Sequence, residues 1–140
     1  MDHVGVVVED LAGAKAFFVA LGLELEGEAS VEGGLVDRIN GLEGVRADVA
    51  MLGARDGSGK LELSKFHAPR GEGGDAHAPS NTPGLRHLTF EVDDLDAAIA
   101  TVRAQGGELV GEVAKFGDTY RLCYARGPEG IIVELAERAG

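Results

Sequence analysis

The feature that most constrains this chain is an internal repeat. Residues 2–28, DHVGVVVEDLAGAKAFFVALGLELEGE, return 84 positions later at residues 86–112 as RHLTFEVDDLDAAIATVRAQGGELVGE. Twelve of the 27 aligned positions are identical, where chance would give about two or three. The identities include His3/His87, Asp10/Asp94, Leu11/Leu95, Gly22/Gly106 and Gly27/Gly111. A second echo follows at an offset of 72, where Lys60-Leu61-Glu62-Leu63 answers Ile132-Val133-Glu134-Leu135. Each of these runs is preceded by a Gly-rich turn, at 56–59 and 127–130. The drop in offset puts about a dozen extra residues in the middle of the first copy.

Each copy carries the same coarse plan. An alternating apolar run opens it (Val4, Val6 and Val8; Leu88, Phe90 and Val92) and predicts a strand with one buried face. Asp10 and Asp94 then stand as helix N-caps. Leu11, Ala14, Phe18 and Leu21 form a helical stripe, as do Leu95, Ala98, Ile99 and Val102. Gly22 and Gly106 sit where a left-handed residue ends a helix. Three more strands follow, the last two joined by the Gly-rich hairpin. The predicted fold is therefore α+β, with a βαβββ module used twice. The stretch 67–84, HAPRGEGGDAHAPSNTPG, holds three of the four prolines and reads as a linker. The expected divisions are a first module at 1–66, the linker at 67–84 and a second module at 85–140, together making one domain. Neither module buries much surface alone, so their sheets are expected to pack together or against a second chain.

Charge narrows the partners. With 13 Lys and Arg against 24 Asp and Glu, the net charge is −11, which repels phosphate backbones and anionic lipid and argues against nucleic-acid or membrane roles. No apolar run approaches the ~20 residues of a membrane span, and the opening Met-Asp-His before a strand-like run does not resemble a signal peptide. Cys123 is the only cysteine; an internal disulfide is excluded and a reducing cytoplasm is expected. It falls within an apolar strand pattern and reads as core.

Strand alternation also predicts where chemistry sits. His3 and His87 lie on the first strand of each copy, opposite in parity to the apolar row, and Glu62 and Glu134 lie likewise on the last strand. Two imidazoles and two carboxylates suit one divalent cation: Zn, Ni, Co or Fe by imidazole preference, with Mn or Mg also accepted by oxygen. A polar residue on a solvated strand face explains any one of the four; recurrence of the same types at matched positions favours a ligand set. Arg38, Lys65, Tyr120 and Arg121 are candidates to hold a substrate carboxylate or phosphate. His67 and His77, in or beside the linker, read as solvated.

The residues Asp2-His3-Val4-Gly5 with Val8-Glu9-Asp10-Leu11, then Leu61-Glu62-Leu63, Arg86-His87-Leu88-Thr89-Phe90-Glu91 and Gly127-Pro128-Glu129-Gly130-Ile131-Ile132-Val133-Glu134-Leu135, resemble the vicinal oxygen chelate superfamily. That superfamily includes glyoxalase I, methylmalonyl-CoA epimerase, extradiol dioxygenases, and fosfomycin- and bleomycin-resistance proteins. The resemblance implies paired βαβββ modules forming a curved mixed sheet around a cavity with the helices on the outside, usually in a homodimer, with metal ligation at His3, Glu62, His87 and Glu134. It implies a lyase or isomerase acting on a small carbonyl compound through a metal-chelated enolate, with Glu134 as first candidate base and Glu62 as second. Asp37 is a third, because Gly34-Leu35-Val36-Asp37 loosely resembles the strand that carries a base in the epimerases. A small-molecule binding or resistance protein is the alternative. A ring-cleaving dioxygenase fits less well, since those usually have longer chains and a 2-His-1-carboxylate iron site. Leu61-Glu62-Leu63-Ser64 departs from the Glu-Leu-Thr type of segment common in glyoxalase I, which weighs against glutathione.

Overall fold

In the computed structural model, residues 1–139 are described. They form two compact units, Met1–Gly74 and Asp75–Gly140. The first unit contains β1 (Val4–Val7), α1 (Leu11–Ala20), β2 (Glu24–Glu32), α2 (Gly34–Asn40), β3 (Arg46–Gly53) and β4 (Lys60–Ala68). Its sheet has the order β1-β4-β3-β2; β1 runs parallel to β4 and the other pairs are antiparallel. The second unit contains β5 (His87–Val92), α3 (Leu95–Ala104), β6 (Glu108–Leu109), β7 (Ala114–Phe116), β8 (Tyr120–Arg126) and β9 (Ile132–Arg138). Its sheet runs β5-β9-β8-β6, with β7 also on β8 and β5 parallel to β9. The fold is α+β, as the repeat predicts.

The helix ends form as their residues dictate. Asp10 accepts from the Gly13 N–H and Asp94 from the Ala97 N–H, each at 3.0 Å, satisfying backbone donors that have no partner inside the helix. Gly22 and Gly106 take φ of 113° and 88°. Each helix covers one face of its own sheet. Phe17 and Phe18 of α1 are buried, as are Ala50, Leu52, Leu61 and Leu63 of β3 and β4. Leu95, Ile99 and Val102 of α3 are buried, as are Cys123, Ala125, Val133 and Leu135 of β8 and β9. Period-two alternation then leaves the opposite face of each sheet to polar and half-exposed side chains.

Two departures from the simple repeat have local causes. The extra residues of the first copy include α2, a two-turn helix ended by Gly41 in the left-handed region at φ 67°. The strand expected at Gly34–Asp37 is thus a helix. In the second copy, the strand corresponding to β2 is broken into β6 and β7, which both pair with β8.

The residues preceding β5 also carry structure. The Arg126 guanidinium donates to the carbonyls of Ala76, Ala78 and Gly130 at 3.2, 2.9 and 3.0 Å, and Ala78 is buried. Residues 76–78, inside the stretch read as a linker, are therefore clasped to the second unit. No helix is long and apolar enough to cross a membrane among the described residues.

Candidate metal centre

Strand register brings each predicted His–Glu pair together. Glu62 of β4 lies directly beside Gly5 of β1, and His3 precedes Gly5 by two residues. Glu134 of β9 lies directly beside Thr89 of β5, and His87 precedes Thr89 by two. Both pairs are diagonal neighbours on one sheet face, a spacing that long side chains bridge. The His3 Nε2 to Glu62 Oε2 distance is 3.6 Å, and His87 Nε2 to Glu134 Oε2 is 3.3 Å. All four residues lie on the face away from the helices.

These separations are informative. A charge-assisted N–H···O⁻ bond closes to about 2.7–2.9 Å, and neither pair does. Two donors each about 2.1 Å from a shared ion, at the angles of tetrahedral or octahedral coordination, stand roughly 3.0–3.4 Å apart; the His87–Glu134 pair falls within this range and the His3–Glu62 pair lies just outside it. The first pair carries a further cue. His3 Nδ1 lies 2.7 Å from Asp2 Oδ2, and this bond from His3 holds the Asp2 carboxyl below its ordinary value. The His3 Nε2 faces the Glu62 carboxylate, and a carboxylate on the far nitrogen is a common support for a metal-ligating histidine. The donor chemistry therefore fits a divalent metal. Among the described residues no three His, Cys, Asp or Glu side chains gather around one point; each unit brings together two such donors.

The surroundings of the two halves differ. In the second unit Thr89 Oγ1 donates to Glu134 Oε2 at 3.2 Å. Tyr124 sits directly across β8 from Glu134 and its ring lies 4.9 Å from that of His87. In the first unit the residue across from Glu62 is Met51. A hollow of about 340 Å³ opens beside Glu134 and Thr89, walled by Phe116, Tyr120, Leu122 and Ala136.

The other candidates separate by strand parity. Tyr120 lines the hollow. Arg121, its neighbour, must point to the other face; it pairs with Asp96 of α3 at 3.0 Å and is not a substrate contact in the hollow. Lys65 also lies on a helix-side row and donates to the Glu9 carbonyl at the entry to α1. Arg38 falls in the last turn of α2. The Asp37 carboxylate accepts from the Gly44 and Val45 N–H groups at 3.0 and 2.8 Å, so it is engaged in folding the loop after α2. His67, expected to be solvated, is the extra residue of a β-bulge in β4 and bonds Asp48 at 2.8 Å, while Ser30 donates to the same carboxylate at 2.6 Å. Thr89, Tyr124 and Phe116 were not singled out by sequence; alternation along β5 and β8 places Thr89 and Tyr124 on the face of the ligands.

Residues 2–124 match the family described as the Glyoxalase/Bleomycin resistance protein/Dioxygenase superfamily. The chain belongs to that superfamily. Among curated relatives of this glyoxalase-superfamily protein is the uncharacterized protein YaeR of Escherichia coli, 30% identical, with the match covering 97% of this chain and 94% of YaeR. Among solved structures, a glyoxalase family protein from Bacillus cereus is 43% identical over 100% of this chain and 94% of its own, with a TM-score of 0.96. A glyoxalase I mutant from Zea mays shares the fold, with a TM-score of 0.70 at 19% identity, and the match spans 46% of that longer chain.

Proposed function

We propose that this superfamily member is a metal-dependent lyase or isomerase of the glyoxalase/epimerase kind. Its substrate would be a small carbonyl compound, and His3, Glu62, His87 and Glu134 would be the metal ligands in a homodimer. The observation that carries the reading is the matched pair of half-sites, in which a histidine and a glutamate occupy the same lattice positions of both sheets at 3.6 and 3.3 Å. A divalent cation such as Zn, Ni, Co, Mn or Fe supplies Lewis-acid polarisation of a substrate carbonyl when bound. The chain's own residues supply the proton chemistry. Glu134 borders the hollow and is placed to take a proton from the carbon beside that carbonyl. Thr89 holds its Oε2 and so fixes the direction of the carboxylate. Glu62, in the corresponding position of the first unit, is the second candidate base.

Elemental analysis of untagged protein, followed by titration with Ni, Co, Zn and Mn, tests the reading. Stoichiometric metal that is lost in His87→Ala and Glu134→Gln is expected, together with metal-dependent exchange of a substrate C–H with solvent deuterium. Wild-type protein that neither holds nor takes up any of these ions would overturn it. The aromatic wall of Phe116 and Tyr120 favours a second reading, a small-molecule binding protein, for which ligand binding would survive chelation.

A further inference from the structure

The side chains on the open face of the second sheet form four rows across the strands. The first holds His87, and the second holds Thr89, Glu134 and Tyr124. The third holds Glu91, Ala136 and Leu122, and the fourth Arg138, Tyr120 and Phe116. At about 3.3 Å per residue the fourth row stands roughly 13 Å beyond Glu134. Along that distance the hollow is walled by carbon: Ala136, Leu122, the Tyr120 ring and Phe116. Phe116 is 71% exposed, so its ring is open to a group lying in the hollow.

The two arginines near the hollow are already engaged. The lining of the hollow contains Glu91, which pairs with one of them, and Glu134, a metal ligand on the reading above. Arg138, the cation at the far end, lies 3.4 Å from Glu91 and 5.3 Å over the centre of the Tyr120 ring. Its charge is thus already matched by a carboxylate and a π face. Arg121 is turned away to Asp96. A substrate tail with free carboxylates or phosphates would find both arginines already paired, while an uncharged apolar tail would cover Leu122 and Phe116.

Resting on the metal-dependent reading above, we infer that the substrate is a carbonyl compound carrying an uncharged aryl or extended alkyl group. This group would lie along β8 and β9 between Glu134 and Phe116. The volume of 340 Å³ is at the small-molecule end of ligand pockets, enough for one such group.

Three hydroxamates, each offering two neighbouring oxygens, separate the terms when their binding to nickel-loaded protein is measured by calorimetry. 4-Phenylbutyrohydroxamate is expected to bind about 30-fold more tightly than acetohydroxamate, the gain from burying one ring. Succinohydroxamate, with a free carboxylate in place of the ring, is expected to bind no more tightly than acetohydroxamate. Phe116→Ala, at an exposed position, and Leu122→Asp should each reduce the phenyl preference by about tenfold or more while leaving nickel affinity unchanged. A metal-free arm keeps the two proposals apart: 4-phenylbutyramide, which has no chelating pair, should shift the Leu122 methyl resonances of the apo protein. If nickel fails to bind but the amide shifts Leu122, the metal reading falls and the aryl site stands. If the hydroxamates bind within about threefold of one another, or the amide leaves Leu122 unmoved, the aryl inference is overturned.

Discussion

Replacing Gly130 with alanine tests how the second unit holds the segment leading into it. Gly130 closes the one-turn 3₁₀ helix Pro128–Gly130 between β8 and β9 with φ of 83°. A left-handed backbone costs an alanine roughly 1–2 kcal/mol. In addition, an added Cβ would lie 2.2 Å from the Ala76 carbonyl oxygen and 2.5 Å from its Cα. Both atoms are backbone, so no rotamer relieves the overlap and residues 76–78 must move. That movement breaks the Arg126 bonds to the Ala76 and Ala78 carbonyls, at about 1 kcal/mol each, and exposes Ala78. The expected loss is about 3–4 kcal/mol. Gly106→Ala is the control within the same unit: its φ is 88° but nothing lies within 4 Å of its added Cβ, so only the backbone term of roughly 1–2 kcal/mol applies. Urea unfolding followed by tyrosine fluorescence reads the difference, because the chain has no Trp and both its tyrosines, Tyr120 and Tyr124, lie in β8. Gly130→Ala should be about 2 kcal/mol less stable than Gly106→Ala, and adding Arg126→Ala to it should cost only the remaining bond to the Gly130 carbonyl, about 1 kcal/mol. Stabilities for the two glycine variants within about 0.5 kcal/mol of each other would refute the clasp.

Asp2→Asn should weaken metal binding by about 10-fold, the lower end for a support on a ligating histidine, because the Asp2 carboxylate is exposed; a competition titration with a fluorescent chelator checks it. Asp48 has its carboxyl held below its ordinary value by the Ser30 hydroxyl first and His67 second. Its stabilising effect is therefore complete above the ordinary carboxylate pKa and is lost as the pH falls through the lowered folded-state value. Acid unfolding of Asp48→Asn should accordingly converge with that of the wild type at low pH and diverge from it at neutral pH. Burial pushes the Cys123 thiol up, so a thiol reagent at pH 8 should leave it unmodified in the folded protein and label it after urea unfolding. Asp94→Ala removes the acceptor for the Ala97 N–H and should cost the second unit about 1 kcal/mol in the same urea assay.

What the sequence made legible follows from periodicity. Repetition at two offsets identified the paired modules, because a duplicated unit preserves its strand lattice. Parity then put His3, Glu62, His87 and Glu134 on faces opposite the apolar rows, where the register brings each pair together. The same rule, carried through β8, separates Tyr120 from Arg121; grouping them as joint substrate contacts overlooked that adjacent strand residues face opposite ways. The helix at Gly34–Asn40 was hidden for a different reason. It lies in the insertion, where the repeat offers no template, and it depends on the loop closure made by Asp37 with Gly44 and Val45. The side chain of His67 could not be placed from sequence because a bulge breaks the period-two count just where it lies. The clasp on residues 76–78 was equally invisible, since a stretch of Pro, Gly and Ser reads as a linker whatever an arginine fifty residues away does with its carbonyls.

The half-sites show which part of a duplicated site is constrained and which is free. In each sheet a His–Glu pair spans two neighbouring parallel strands, and shifting either residue by one position would turn it to the helix face. On the proposed reading, a shared cation needs both pairs, so the lattice positions are held in common. The flanking positions carry no such requirement: Gly5 stands where the second unit has Thr89, and Met51 where it has Tyr124. The second unit fixes its glutamate with a hydroxyl and opens a hollow beside it. Its glutamate is also the more enclosed, with 19% of the side chain exposed against 34% for Glu62. A carboxylate that is held in direction and partly shielded from water is better suited to take a proton from carbon than a more exposed one. The repeat accounts for the matched donors; on the proposed reading, the differences that favour Glu134 as the base lie in the residues the two copies do not share.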